Sequence, residues 1–322
     1  MKPKKTTIAD IAREAEVGIG TVSRVLNNSA SVSGKTRTKV LDVIKARQYT
    51  PSAVASKLAR NDSVETSVGL LLPDLGNHYF FEIFETIYHT FRERGIDVIL
   101  FNYEKDNSKV IQKILDAQVS ALMVFAFGLN EVEKSLLKGW NIKYLYVDYI
   151  QQKEHCIYTD NYSGGILASS YLLEKGATKL CYISIVPPSK GNAERLSGFR
   201  DGLKKQGYLA AVGFYESVLA EEEGYAVGLQ IIQDDKYDGV FCYCDEIAIG
   251  VIKAVREKGS SLKVIGFDGT RGARYVELST ISQGPTHIGT LAAETLLKLI
   301  KEGNESPLIT HKIPPYLIDY NT

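Results

Sequence analysis

At 322 residues, with 44% hydrophobic and 24% charged residues, the chain has the composition of an ordinary globular protein and the length of two or three compact units. No apolar run reaches the ~18 residues that span a bilayer, and the basic N-terminus runs into polar residues where a secretion signal needs an apolar core, so no membrane association and a cytoplasmic location are expected. The zero formal charge hides an asymmetry: residues 1–60 hold twelve Lys/Arg against four Asp/Glu, which leaves an acidic remainder and directs the basic head toward a polyanion.

The head reads as three short helices. In "TTIADIAREA", Thr7 with Asp10 resembles a capping box, and Ile8, Ile11, Ala12 and Ala15 share one face. After a break at Glu16-Val17-Gly18, "GTVSRVLNN" gives a second helix with Val22, Val25 and Leu26 facing the first. In "SGKTRTKVLDVIKARQY", Ser33 is the expected N-cap, and Val40, Leu41 and Ile44 are expected to face inward with Tyr49. The segment Gly18-Ile19-Gly20-Thr21-Val22-Ser23 approaches the glycine pattern of a dinucleotide-binding turn, but that turn needs a preceding strand, and a helical pattern ending in charges stands there instead. Two helices joined by a tight turn and braced by a cation-rich third make a helix-turn-helix whose second helix reads DNA.

The run "TVSRVLN", followed by "VSGKTRTKV", is long and specific, and with it the chain resembles the LacI/GalR family of bacterial transcription repressors over essentially its whole length. The resemblance implies that the second helix enters the major groove, with Thr21, Ser23 and Asn27 holding phosphates while Ile19, Gly20 and Arg24 face bases. It adds Thr7, Gly18, Ser33 and Thr36 to the expected DNA contacts. Backbone amides and hydroxyls at a helix start suit phosphate oxygens, and Arg reads guanine well. Two positions depart from the family pattern: Glu16 stands where Gly is usual, and Gly18 where Ser is usual. A left-handed backbone at Glu16 is expected to carry strain of roughly 1–2 kcal/mol. Gly20 offers no side chain to a base, which leaves much of the direct readout to Arg24.

In "TPSAVASKLARNDS", Pro51 stops the third helix and Val54 and Leu58 share a side at i, i+4 spacing. So short a helix is marginal alone and needs a partner copy. The resemblance implies a homodimer whose paired hinge helices, with Ser52, Val54 and Ala55, enter the minor groove and drive Leu58 between base pairs.

From Val68, strand-like runs ("VGLLLPD", "DVILFNY", "ALMVFAF", "KYLYVDY", then "KLCYISI", "GVFCYCD", "KVIGFDG") alternate with amphipathic helical ones. The expected fold is α/β: the helix-turn-helix head plus a two-lobed, periplasmic-binding-protein-like core with parallel sheets. The expected boundaries are 1–50 for the DNA-binding domain and 51–63 for the hinge helix and linker. Residues 64–156 plus 285–305 would form the N-terminal lobe, and 157–284 plus 306–322 the C-terminal lobe. No leucine heptad follows "IPPYLIDYNT", so a coiled-coil tetramer is not expected.

Ligands of open α/β sheets bind beyond the carboxyl ends of strands. Asp148, Asp245 and Asp268 fall at such ends, and Arg195 begins a helix after another strand. Carboxylates and a guanidinium across a cleft suit adjacent hydroxyls. The resemblance makes Arg195 and Asp268 the leading effector residues, with Asp148, Tyr79, Phe80, Cys244, Asp245, Tyr225 and Gln283 beside them; Asp245 reads equally well as a helix cap. Cys156, Cys181, Cys242 and Cys244 lack metal or redox spacing, and the histidines (78, 89, 155, 287, 311) form no catalytic or metal motif, so neither an enzyme, a cofactor nor a metal site is expected. The expected function is a sequence-specific repressor that binds a near-palindromic double-stranded operator and responds to a small carbohydrate effector, a sugar or sugar phosphate. The alternatives are a regulator of the same fold controlled by a partner protein or a corepressor, and, from another class, a solute-binding receptor, which would need a secretion signal and no basic head.

Overall fold

The computed structural model describes residues 8–26, 32–47, 67–73, 76–103, 109–208, 210–302 and 307–322. Thr7, Asn27, Tyr49, Ser52, Val54, Ala55 and Leu58, with the whole hinge segment 51–63, lie outside them. The chain divides into two units, residues 1–65 and 66–322.

In the head, α1 (Ile8–Glu14), α2 (Ile19–Leu26) and α3 (Gly34–Ala46) enclose a small core of Ile11, Ala12, Ala15, Val22, Val25 and Val40. Ser33 caps α3, its Oγ accepting from the Thr36 amide at 3.3 Å. Leu41, expected inside, is 47% exposed. The 3.6-residue period puts Val40, Val43 and Ile44 on the inner face and rotates Leu41 past its edge. The turn after α1 does require a left-handed residue: Glu16 has φ +52°. Its carboxylate accepts from Lys39 Nζ at 2.6 Å, and Arg47 Nε reaches Glu14 at 2.8 Å, so two ion pairs tie α3 to the end of α1.

The larger unit opens with β1 (Ser67–Leu72), α4 (His78–Arg92), β2 (Asp97–Asn102), α5 (Lys109–Ala117), β3 (Ala121–Phe125), α6 (Glu131–Gly139), β4 (Lys143–Val147) and β5 (Cys156–Thr159). There follow α7 (Asn161–Glu174), β6 (Leu180–Ile185), α8 (Lys190–Lys205), β7 (Gly213–Ser217), α9 (Glu221–Asp234), β8 (Gly239–Cys242), α10 (Asp245–Lys258), β9 (Lys263–Asp268), α11 (Arg271–Tyr275) and β10 (Thr280–Ser282). The helix α12 (Pro285–Glu302) precedes the last strands, β11 (Thr310–Ile313) and β12 (Tyr316–Ile318).

These strands form two six-stranded sheets, ordered β11-β5-β4-β3-β1-β2 and β12-β10-β9-β8-β6-β7. Central strands such as β1, β3 and β8 are buried at every position, as continuous apolar runs must be when helices cover both faces of a parallel sheet. The edge strands β2 and β7 carry exposed positions. Every pairing is parallel except β10 with β12. Each sheet with its helices forms one lobe.

The expected lobe boundaries need correction. Strand β11 pairs with β5 in the first sheet, Thr310 opposite Cys156, whereas β12 joins the second sheet. Residues 306–322 are therefore split between the lobes, and β5 carries the first sheet beyond residue 156. Both late strands are edge segments of four and three residues, too short to give an apolar run. Helix α12 packs Ile288, Ala292 and Leu296 into the first lobe's core with Ile83 and Ile87 of α4.

In the second lobe α7 and α8 lie almost backbone to backbone. The space a Cβ would need at Gly165 is filled by the Arg195 carbonyl, and at Gly198 by the Tyr162 carbonyl. This packing fixes the turn of α8 that carries Arg195.

Candidate functional site

On the head, α2 turns Val22 and Val25 inward and leaves Ile19, Gly20 and Arg24 exposed, with Thr21 half-buried. The Arg24 guanidinium folds back along its own helix, Nε donating to the Gly20 carbonyl at 3.1 Å and Nη2 to Thr21 Oγ1 at 3.5 Å. These weak, exposed contacts are ones a base or phosphate could replace. The hydroxyls of Ser33 and Thr36 face each other at 2.9 Å. Gly18 starts the helix, its carbonyl accepting from the amides of Thr21 and Val22.

In the core, a cavity of about 210 Å³ opens between the carboxyl ends of the two sheets. Tyr79 and Phe80 reach it from the first turn of α4, Asp148 from the end of β4, and Arg195 from α8. Cys244 comes from the residue before α10, Asp268 from the end of β9, and Gln283 from just beyond β10. Seven of the nine expected effector residues thus line one wall or another of the same space.

Two do not. Tyr225 is on the outer side of α9 and donates its hydroxyl to Glu257 at 2.6 Å. Asp245 is buried behind the cleft, where Oδ2 accepts from the Thr270 amide at 2.8 Å and its hydroxyl at 3.0 Å, and Oδ1 from the Thr280 hydroxyl at 2.6 Å. It staples α10 to β10 and to the turn that starts α11. The structure also adds Asn77, Tyr149, Tyr158, Asn161, Ser189 and Tyr243 to the cleft. Ser189 and Asn77 were accessible in principle as N-caps next to a strand end; Asn161 was hidden because β5 is too short to stand out.

The cleft's polar groups are held tightly. Arg195 is 4% exposed, stacked 3.6 Å from the Phe267 ring centroid and 4.6 Å from that of Tyr243. Its Nε donates to Asn161 Oδ1 at 2.8 Å and its Nη1 to the Tyr243 carbonyl at 2.6 Å, while Asp268 Oδ1 lies 3.6 Å away. Gln283 Nε2 donates to that same Asp268 oxygen at 2.7 Å. The Gln283 carbonyl oxygen and the Tyr79 hydroxyl are buried with no hydrogen-bond partner among the described residues, and so is the Thr159 hydroxyl near Tyr79. Each such atom costs about 1–3 kcal/mol until something binds it.

Backbone geometry follows the same pattern. Ala126, Asp148 and Asp268, at the ends of β3, β4 and β9, all have positive φ (+62°, +57° and +119°) and all line the cavity. Residues in such strained conformations cluster at ligand sites. Electrostatic strain coincides with it. Burial pushes the Asp148 carboxyl up to about 6 against the pull of Arg195. Burial drives Asp268 well above the usual carboxylate range, Arg195 opposing and Asp245 adding to the rise. Burial also raises Tyr79, with the two cleft aspartates reinforcing it. Arg195 resists the opposite effect: burial would lower its pKa, but Tyr243, Asp268 and Asp148 together hold it above the usual value. The site is a desolvated, preorganised set of hydrogen-bonding groups. The four cysteines are buried free thiols, and among the described residues no cluster of His, Cys, Asp or Glu could hold a metal. Nor is any described helix long and apolar enough to cross a membrane.

The two parts define a class: a helix-turn-helix head joined to a two-lobed α/β core with a ligand-sized interlobe cleft. Residues 7–52 match the profile of the lacI family of bacterial regulatory proteins, and residues 170–319 that of the periplasmic-binding-protein-like domain. The HTH-type transcriptional repressor PurR of Glaesserella parasuis serovar 5 (strain SH0165) is 28% identical over 332 residues, covering 98% of this chain and 95% of the relative. The ribose operon repressor of Haemophilus influenzae is 28% identical, covering 93% of each. In fold, the chain is similar to the Lac repressor dimer bound to operator and the anti-inducer ONPF (TM-score 0.70, 23% identity, 98% of each chain covered). It is also similar to a LacI-family regulator from Enterococcus faecium with bound ribose (TM-score 0.72, 21% identity, 79% of this chain and 97% of that one). The chain thus carries a LacI-family DNA-binding domain followed by a periplasmic-binding-protein-like domain, the make-up of a DNA-binding transcriptional repressor with a small-molecule effector.

Proposed function

We propose that this repressor acts in the cytoplasm as a homodimer on a near-palindromic operator, and that a small polyhydroxylated effector, a sugar or sugar phosphate, binds between the core lobes. Phosphate neutralisation by the basic head supplies most of the affinity, and Arg24 with its neighbours the direct readout. Effector binding changes the angle between the lobes and so the spacing of the two hinge segments, coupling the sites by about 1–3 kcal/mol. The core carries out no chemical step in this reading.

The observation that carries it is the enclosed Arg195–Asp268–Gln283 cluster, whose groups are oriented by the protein yet left with open hydrogen-bonding positions toward the cavity. The experiment is a thermal-shift screen of sugars and sugar phosphates, since a ligand that selects the native state raises its melting point. Operator binding is then titrated with the best ligand. Arg195→Ala and Asp268→Ala should bind operator as the parent does and lose the response; a normal response in either variant would remove the assigned pocket.

A further inference from the structure

The turn between α1 and α2 holds a carboxylate where both the backbone and the surroundings argue against one. Glu16 has φ +52°, a left-handed conformation that strains any residue with a Cβ. It is one of four acids among residues 1–60, against twelve Lys/Arg, and its side chain is 79% exposed. Two residues on, the Gly18 carbonyl accepts from amides of the first turn of α2, the helix that presents Ile19, Gly20 and Arg24 to solvent. On the premise that this head grips duplex DNA through α2, a bare carboxylate here would oppose the phosphate backbone.

Glu16 is not bare, because Lys39 Nζ donates to its Oε2 at 2.6 Å from the middle of α3, 23 residues along the chain. Lys39 shares a side of α3 with Thr36, an expected DNA contact, at i, i+3 spacing. Both partners are open to solvent, and an exposed ion pair does little more than offset the backbone strain at Glu16. Folding therefore gains almost nothing from this residue, and its effect falls on binding. Each phosphate that a cation neutralises steepens the salt dependence of DNA binding by about 0.9. A lysine already neutralised by the protein's own carboxylate adds nothing to that count. We propose that Glu16 is a brake on DNA affinity: it cancels Lys39 and so weakens the sequence-independent grip of the head without touching the groups that read bases. A larger share of the binding free energy is then left to Arg24 and its neighbours. The second pair of the head supplies a contrast. Arg47 Nε donates to Glu14 Oε2 at 2.8 Å, but Arg47 lies eleven residues beyond Thr36, roughly 16 Å along the helix axis.

Binding of the full chain to a fluorescein-labelled duplex of mixed sequence and about 30 base pairs, followed by anisotropy between about 50 and 500 mM KCl, tests this. Glu16→Gln removes the charge and keeps the backbone conformation. It should tighten binding about tenfold at the low end, lose that gain toward the high end, and steepen the slope of log K against log salt by about one per head. Lys39→Gln added to it should return both quantities to the parent's values. Glu14→Gln should leave the slope as it is, since it frees a cation far from Thr36. Glu16→Gly, which suits a left-handed turn, gives the same measurement if Glu16→Gln does not fold. An unchanged slope in the Glu16 variants overturns the proposal, as does a gain that survives Lys39→Gln or that Glu14→Gln reproduces. Absence of salt-sensitive binding by the parent chain overturns the assignment of the head to DNA, and the proposal with it.

Discussion

Gly198 of α8 rests against the carbonyl oxygen of Tyr162 on α7, with no room for a Cβ between them. One turn away, the same contact in reverse sets Gly165 against the carbonyl of Arg195. The Arg195 guanidinium is therefore positioned by two glycines that do not line the cleft. Gly198→Ala should cost about 1–3 kcal/mol, the usual penalty for overpacking, since backbone rather than a flexible side chain must move. Urea denaturation would measure that loss, and effector titration should show weakened affinity as α8 is pushed off α7. Unchanged stability would mean that the helices are not locked together as described.

Asp245 and Asp268 offer a clean contrast. Asp245→Ala strands the Thr270 amide and the Thr270 and Thr280 hydroxyls, and a loss of about 3 kcal/mol in stability is expected. Effector affinity should stay within about threefold, because a staple behind the cleft orders its wall without touching the ligand. Asp268→Ala should do the reverse. A variant of Asp245 that keeps its melting point and loses its ligand would return this residue to the binding set.

Asp148 should make the unliganded core less stable as pH rises. Its folded pKa of about 6 lies above the unfolded value, so the unfolded chain releases that proton first, and the native state loses stability between about pH 4 and pH 6. At pH 7 the penalty is complete. Asp148→Asn should therefore stabilise the free protein at pH 7, by at most about 3 kcal/mol and less where the carboxylate still meets cleft water. The gain should shrink toward zero as the pH approaches 4, which denaturant melts across that range would show. A gain independent of pH would assign it to packing instead.

On DNA, Arg24→Ala should weaken operator binding by about 1–3 kcal/mol and relax specificity at the base pair it reads. Binding-site selection with parent and variant heads would also test the neighbouring expectation that the base pair facing Gly20 is weakly discriminated. Strong selection there, retained in the variant, would mean that another group reads it.

The strands of the central sheet regions were legible because burial on both faces leaves no choice but continuous apolar runs, as in "VGLLLP" and "ALMVF". The strands β5, β11 and β12 were not, since three or four residues are too few to stand out from loop. Most cleft residues could be read as strand-end aspartates and aromatics. Asp245 and Tyr225 show the limit: a carboxylate at a strand end can point behind the sheet as readily as in front of it, and only the hydroxyls of Thr270 and Thr280, 25 and 35 residues away, decide which. The left-handed turn at Glu16 was legible in outline, but its ion pair with Lys39, 23 residues on, was not.

The segment Ile313-Pro314-Pro315-Tyr316 carries the chain from the margin of one sheet straight to the margin of the other. Beyond it, the Thr322 hydroxyl accepts from the Ser279 amide and donates to the Val264 carbonyl, sewing the last turn of chain into the second lobe. Each sheet therefore owes one margin to the same short stretch of chain, and removing residues 310–318 would uncover β5 and β10 at once, leaving two open sheet margins prone to pairing with a neighbouring molecule.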